Sequence, residues 1–355
     1  MNTIFWLRAE VKIGERRTPL TPVGAKALIA GGSKLMVERC ANRLFDDQDY
    51  LAAGCQLVEP GSWPTAPEQA IIVGLKELEL QDFGLVHGHI YFAHAFKGQD
   101  EATQILSRFK SGGGEILDLE FLQDDSGRRV CAFGFWAGYV GGAMAVAGYY
   151  HHVKTSAPFP AQVSYNNKAA YLKKLRSQML AEVKPPRALV IGAHGRSGKG
   201  AVELFKELGI EVISWDIAET KVGGPFSAIN DFDIMVNCAY LAPGTLPFVT
   251  QESLGCAPQL SLISDVSCDP NSADNPIPIY QAITKLPRPI IESAVAGLYI
   301  QAVDHLPTVL PKESSEDFAA QLLPHLLTLA QETDDQAVWN KARSFYQQAL
   351  AQLNT

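Results

Sequence analysis

The chain has 355 residues, 47% of them hydrophobic and 19% charged, and 30 Lys+Arg against 38 Asp+Glu give a net charge of -8. That length predicts two domains. The balance excludes a disordered chain, and the negative charge leaves no basic footprint for nucleic acid.

The N-terminus carries no basic segment followed by an apolar stretch and a cleavage site, so no secretion signal is read. The longest weakly polar run, Tyr139 to Tyr150, holds three glycines and is too short to cross a bilayer, so no membrane partner is expected. Cys40, Cys55, Cys131, Cys238, Cys256 and Cys268 form no C-x-x-C pair. They read as reduced thiols rather than a zinc site or a disulfide scaffold. The terminal Leu353-Asn354-Thr355 is no peroxisomal address. A cytoplasmic enzyme without a metal site is expected.

In chain order, Thr3–Leu7 reads as a strand. Thr21-Pro22 supplies an N-cap and a first-turn proline for a helix that stops at Gly31-Gly32. Ala70–Val73 and His89–Phe92 are strands, a helix runs from about Asp100 to Lys110, and Glu115–Asp118 is the next strand. Gly138–His152, crowded with Gly and Ala, predicts a helix packed closely between two domains, and a polar helix spans about Asn166–Glu182. Pro185-Pro186 marks the start of a second unit. There Arg187–Gly192, Glu211–Trp215, Asp233–Cys238 and Leu260–Val266 are strands, with a helix at Ala201–Leu208. Ser314–Asp317 resembles a capping box. Val338, Ala342, Phe345 and Ala349 form one stripe of a final helix that returns to the first domain. Alternation of strands and helices predicts an α/β fold with parallel sheets. The division is 1–135 as a substrate and catalytic domain, completed by C-terminal helices 311–355, and 136–310 as a dinucleotide-binding domain.

The strongest local signal is Val190-Ile191-Gly192-Ala193-His194-Gly195-Arg196-Ser197-Gly198, directly after a strand and opening a helix. Gly192 suits a tight turn, Gly195 a close approach of backbone to a pyrophosphate, and Gly198 the packing of helix on strand. The helix N-terminus offers N–H groups to phosphates. Asp216, 24 positions after Gly192, ends the second strand, where a carboxylate accepts both ribose hydroxyls and repels a 2'-phosphate, favouring NAD over NADP. A structural glycine turn with a surface aspartate is the competing reading.

Lys76 and His94 each follow a strand of the first half, at the carboxyl-end rim where open α/β sheets place ligands. Both residue types carry protons near neutral pH once their surroundings tune them. The competing readings are a solvated loop lysine and a structural histidine, since His87, His89 and His94 crowd one segment. Arg8, Lys12, Arg16 and Arg17, with Arg128-Arg129, suit a small substrate bearing several carboxylates; a solvated basic face is the alternative.

The strings Leu7–Lys12, Leu20–Pro22, Gly74–Glu77, Asp118–Phe121, Gly127–Val130, Ala132–Phe135, Gly223–Phe226, Asp265–Ser267, Asn275–Tyr280 and Asp304–Pro307 run in order along nearly the whole chain. In them the chain resembles saccharopine dehydrogenase of the NAD-dependent, lysine-forming type, with alanine dehydrogenase more distant. The resemblance implies two Rossmann-like domains around a central cleft. It implies oxidation of saccharopine by NAD, with water, to lysine and 2-oxoglutarate, and the reverse condensation. Lys76 would take the proton of the secondary amine, and His94 would serve water addition and carbinolamine collapse. It places Arg17, Gln99, Arg129 and Phe133 against substrate, with Glu77 and Glu120 tuning the catalytic pair. It places Arg128, Gly195, Arg196, Asp216, Thr220, Tyr240, Val266, Val303, Asp304, His305 and Leu306 against NAD.

Fungal members carry a cysteine at the position of Ser197, able to pair with that of Cys238, and a peroxisomal C-terminus. Neither is present here, which suggests a bacterial-type cytoplasmic homologue; the resemblance implies a monomer or weak homo-oligomer. A related opine or amino-acid dehydrogenase and a non-catalytic NAD-binding homologue are the alternatives.

Overall fold

A computed structural model describes residues 3–96, 101–255, 259–331 and 337–353. The chain divides into two compact units, Met1–Ala132 with Pro311–Thr355, and Phe133–Leu310.

The first unit is built in chain order from β1 (Ile4–Leu7), α1 (Pro22–Ala30), β2 (Lys34–Glu38), α2 (Asp47–Ala52), β3 (Gln56–Val58), β4 (Ile71–Val73), β5 (Gly88–Tyr91), α3 (Ala102–Gly112) and β6 (Glu115–Asp118). Its sheet is wholly parallel in the order β3-β2-β1-β4-β5-β6. Strand order reverses direction between β1 and β4, so the chains leaving those strands part and open a crevice at their carboxyl ends. Local chemistry sets the helix ends. The Thr21 side chain accepts from Gly24 N with Pro22 in the first turn, and Gly113 closes α3 in the left-handed region at φ 82°.

The second unit comprises α4 (Gly134–Lys154), α5 (Lys168–Gln178), β7 (Ala188–Ile191), α6 (Arg196–Leu208), β8 (Val212–Trp215), α7 (Ile217–Thr220), β9 (Ile234–Asn237), α8 (Gln251–Leu254), β10 (Leu262–Asp265), β11 (Ile290–Glu292) and β12 (Tyr299–Gln301). The sheet runs β11-β12-β10-β9-β7-β8, parallel except for β11 against β12. The unit begins at Phe133 and not at Pro185-Pro186, because α4 shares one core with β7, α6 and β10. That helix starts at Gly134 and is buried from Gly138 to Gly148, as expected for a helix apolar on every side. A Cβ on Gly138 would lie 1.7 Å from the Ser197 carbonyl oxygen, and one on Gly200 would lie 1.9 Å from that of Phe135. The missing side chains therefore let α4 and α6 touch backbone to backbone.

The last helices, α9 (Pro311–Gln331) and α10 (Ala337–Gln352), belong to the first unit. Ser314–Asp317 is not a cap: α9 opens at Pro311, whose fixed φ suits a first helical position. Ser314 and Ser315 are buried within the helix. Ser315 Oγ donates to Pro311 O at 2.6 Å and accepts from Thr18 N at 3.0 Å. On α10 the buried stripe is Trp339, Ala342, Tyr346 and Ala349, with Val338 and Phe345 at its margin. Among the described residues no helix is long and apolar enough to cross a membrane.

Candidate active site

Lys76 sits three residues beyond β4 and His94 three beyond β5, neighbouring strands with parallel registers, so both lie on one rim of the first sheet. The Lys76 amine stands 4.0 Å from Glu15 Oε2. Glu15 in turn holds Arg17, which donates from Nε to Oε1 at 2.8 Å and from Nη2 to Oε2 at 2.7 Å. His94 Nε2 lies 3.5 Å from Glu77 Oε1, while Lys12 Nζ lies 3.6 Å from the other oxygen of Glu77. His94 has φ 50°, a left-handed backbone that non-glycine residues seldom adopt. Glu77 and His94 line a cavity of about 250 Å³ with Tyr91, Ala93, Glu101 and Ile105.

Burial holds the Lys76 amine below its ordinary value, helped by Arg17 and Lys12 and opposed by Glu15 and Glu77. An amine so held accepts a proton nearer neutral pH. Burial pushes Glu15 upward, but the charge and hydrogen bonds of Arg17 outweigh it and keep the carboxyl below its ordinary value. Burial also opposes ionisation of Glu77, yet its own backbone N–H, then Lys12, His94 and Lys76, hold that group low. The rim thus pairs a half-buried amine with an imidazole that faces a carboxylate, two titratable groups in different environments.

The structure brings Lys76, His94, Arg17 and Glu77 together with Lys12, one of the expected cations, and adds Glu15, which was absent from the expected site. Arg17 is not a solvated cation: it is 5% exposed and oriented by Glu15. The alternation of charge through Arg8, Glu10, Lys12, Glu15 and Arg17 was the signal that these cations come with their own anions. Glu120 follows β6 on the same rim, its N–H donating to Asp118 Oδ1. Arg128 and Arg129 are exposed in a turn where Asp124 Oδ1 accepts from Ser126 N and Arg128 N. Phe133 is half-buried at the N-cap of α4. Gln99 lies outside the described residues.

In the second unit the glycine loop joins β7 to α6. Gly192 has φ 75°, which a tight turn requires. Gly195 is the N-cap of α6, and a Cβ on Gly198 would lie 2.0 Å from Gly192 O, so Gly198 packs the helix onto the turn. Beside it a cavity of about 370 Å³ is lined by Gly192, Asp216, Ile217, Thr220, Tyr240 and Phe248. The Asp216 carboxylate accepts from His194 N at 2.8 Å and Ile217 N at 2.9 Å, and the His194 bond foremost holds it below its ordinary value. Arg196 is exposed in the first turn of α6. Val266 packs against Gly141 of α4. Val303 and Leu306 are core side chains, whereas Asp304 and His305 pair with each other in the exposed turn between them. A bare helix N-terminus, an approachable glycine and a carboxylate at the end of the second strand suit a dinucleotide with free ribose hydroxyls.

The alanine dehydrogenase/PNT N-terminal domain family matches residues 6–140. The chain is 44% identical to saccharopine dehydrogenase (NAD(+), L-lysine-forming) of Emericella nidulans, over 98% of each chain. It is also 44% identical to the enzyme of the same name from Neurospora crassa, over 99% of this chain and 97% of that one. The chain belongs to this family, the NAD-dependent, lysine-forming saccharopine dehydrogenases. Membership makes it an oxidoreductase of the CH–NH class. The fold is shared with an L-alanine dehydrogenase at 18% identity and TM-score 0.67, covering 99% of this chain and all of that one. It is also shared with a transhydrogenase from Sinorhizobium meliloti at 18% identity and TM-score 0.61, over 92% and 94% of the two chains.

Proposed function

We propose that the chain oxidises the secondary amine of saccharopine with NAD and hydrolyses the product to lysine and 2-oxoglutarate, and runs the reverse condensation. The observation that supports this most is the Lys76–Glu15–Arg17 and His94–Glu77 cluster on one rim, in a chain with 44% identical saccharopine dehydrogenases. In this reading the first unit supplies most of the substrate contacts and the second most of the NAD contacts.

When bound, NAD would supply the hydride acceptor for the amine-bearing carbon. Gly192, Gly195 and Gly198 with the α6 N-terminus would hold its phosphates, and Asp216 its ribose. Lys76, held below its ordinary value by burial, takes the proton of the substrate nitrogen. His94 removes a proton from the attacking water and returns one to the leaving amine as the carbinolamine collapses, with Glu77 stabilising the imidazolium. Arg17, oriented by Glu15, and Arg129 meet substrate carboxylates, while Gln99, Phe133 and Glu120 complete the substrate side. Arg128, Arg196, Thr220, Tyr240, Val266 and the turn from Val303 to Leu306 complete the NAD side. The same reading places the enzyme in a reducing, cytoplasmic setting.

The test is NADH oxidation with 2-oxoglutarate plus lysine, set against 2-oxoglutarate plus ammonia and pyruvate plus ammonia. Turnover with lysine alone is expected. Turnover with ammonia would move the protein to the amino-acid dehydrogenases, and none at all would favour a non-catalytic NAD-binding role.

A further inference from the structure

Lys76 carries its amine on a flexible four-carbon stem, so the place of that amine depends first on the backbone at residue 76. Both peptide planes that meet at the Lys76 Cα are held from outside. On one side the Glu10 carboxylate accepts from Leu75 N at 2.6 Å and Lys76 N at 3.0 Å. On the other, Arg8 Nη2 donates to the Lys76 carbonyl oxygen. Arg8 and Glu10 are themselves an ion pair, Nη1 to Oε2 at 3.6 Å, with side chains 3% and 7% exposed. The pair rides on the sheet, since Arg8 N donates to Val73 O at the end of β4.

Gly74 makes room for this arrangement. A Cβ there would lie 2.2 Å from Arg8 Nε and 2.5 Å from Cζ, so the guanidinium crosses where a side chain is missing. Burial pushes the Glu10 carboxyl above its ordinary value in spite of Arg8 and the two N–H donors. A buried ion pair adds little stability over apolar residues of the same volume, and this one holds the backbone at Lys76 from both sides.

We propose that the Arg8–Glu10 pair positions the site: it sets the backbone angles of Lys76, hence the seat of its amine, and through the Lys76–Glu77 peptide the carboxylate that faces His94. This rests on the saccharopine reading for its catalytic consequence, while the seat of the amine is measurable without substrate. The groups that face the Lys76 amine (Glu15, Arg17, Lys12 and Glu77) are untouched by the variants that test it.

The experiment compares Gly74→Ala and Glu10→Gln with the unaltered protein. The first displaces the guanidinium without removing a charge, and decides alone where the second fails to fold. NADH binding by fluorescence and the thermal melt report integrity. Competitive acetylation of Lys76 across pH, read by peptide mass spectrometry, reports the amine. Saccharopine oxidation gives kcat and KM. In both variants the acetylation midpoint of Lys76 moves to higher pH as the amine gains water. The kcat falls about 10- to 100-fold, the scale of a misplacement near 1 Å, and NADH binding stays within about twofold. An unchanged acetylation midpoint, or an unchanged kcat in Gly74→Ala, overturns the proposal. An unaltered protein inert toward lysine with 2-oxoglutarate overturns the saccharopine reading instead, and the acetylation midpoint still decides the positioning role.

Discussion

His89 on β5 is 1% exposed, and among the described residues neither ring nitrogen has a hydrogen-bond partner. The rings of Trp63 and Phe109 meet it edge-on at 5.1 Å, with Tyr91 at 6.1 Å and His87 at 6.2 Å. Burial, then Arg8, His87 and Arg108 beside it, hold its pKa well below 6.5. The unfolded chain therefore binds one proton more than the folded chain once pH falls below 6.5. Stability is full above that pH and declines as pH drops toward the folded value, by about 1.4 kcal/mol for each unit. His89→Phe removes this term. Any packing change that the larger ring brings is the same at every pH and cancels in the comparison. Urea unfolding at about pH 8 and pH 5.5 is the assay. Between the two, the unaltered protein should lose about 1.4 kcal/mol more than the variant. Equal losses, within about 0.3 kcal/mol, would refute the reasoning.

Three other variants have expected outcomes. Lys76→Met should bind NADH normally and lose at least ~100-fold in saccharopine turnover, and unchanged turnover would remove Lys76 from the mechanism. Glu15→Gln breaks a pair whose side chains are 5% and 3% exposed, so unfolding stability should fall by about 3 kcal/mol. Loss of the carboxylate 4.0 Å from the Lys76 amine should move the Lys76 acetylation midpoint to lower pH, opposite to Gly74→Ala. Asp216→Ser keeps a side chain able to cap α7 but removes the charge that repels a 2'-phosphate. The ratio of kcat/KM for NAD to that for NADP should fall by at least about tenfold, roughly the value of one charged hydrogen bond, and an unchanged ratio would refute the role of Asp216.

Local signals made most of the fold legible. Thr21-Pro22 at the head of α1 and Gly113 at the end of α3 act through their own backbone chemistry, and the glycine loop lies where the strand before it placed it. Ser314–Asp317 misled because a cap and a buried first turn share residue types, and Pro311, three residues earlier, opens the helix. Pro185-Pro186 misled because the core of the second unit draws on α4, and no local pattern reveals which sheet a helix will cover. Within the site, Lys76 and His94 were legible as residues after strands. Glu15 and Glu10 were not, since cations beside anions in sequence do not say which anions fold onto them.

The two crossings between the units, at Phe133 and Pro311, have a consequence for biosynthesis. The second unit is one continuous stretch, whereas the first is closed only by α9 and α10. Tyr346 donates to Gly114 O, Arg343 pairs with Glu115, and Tyr346 and Ala349 complete the core around Phe109. A ribosome therefore finishes the glycine-loop unit before it delivers residues 311–355, 45 residues that at ~5–20 residues per second take about 2–9 s more. During that interval the Lys76 rim exists as sequence but stands on a sheet whose outer strand still lacks its cover.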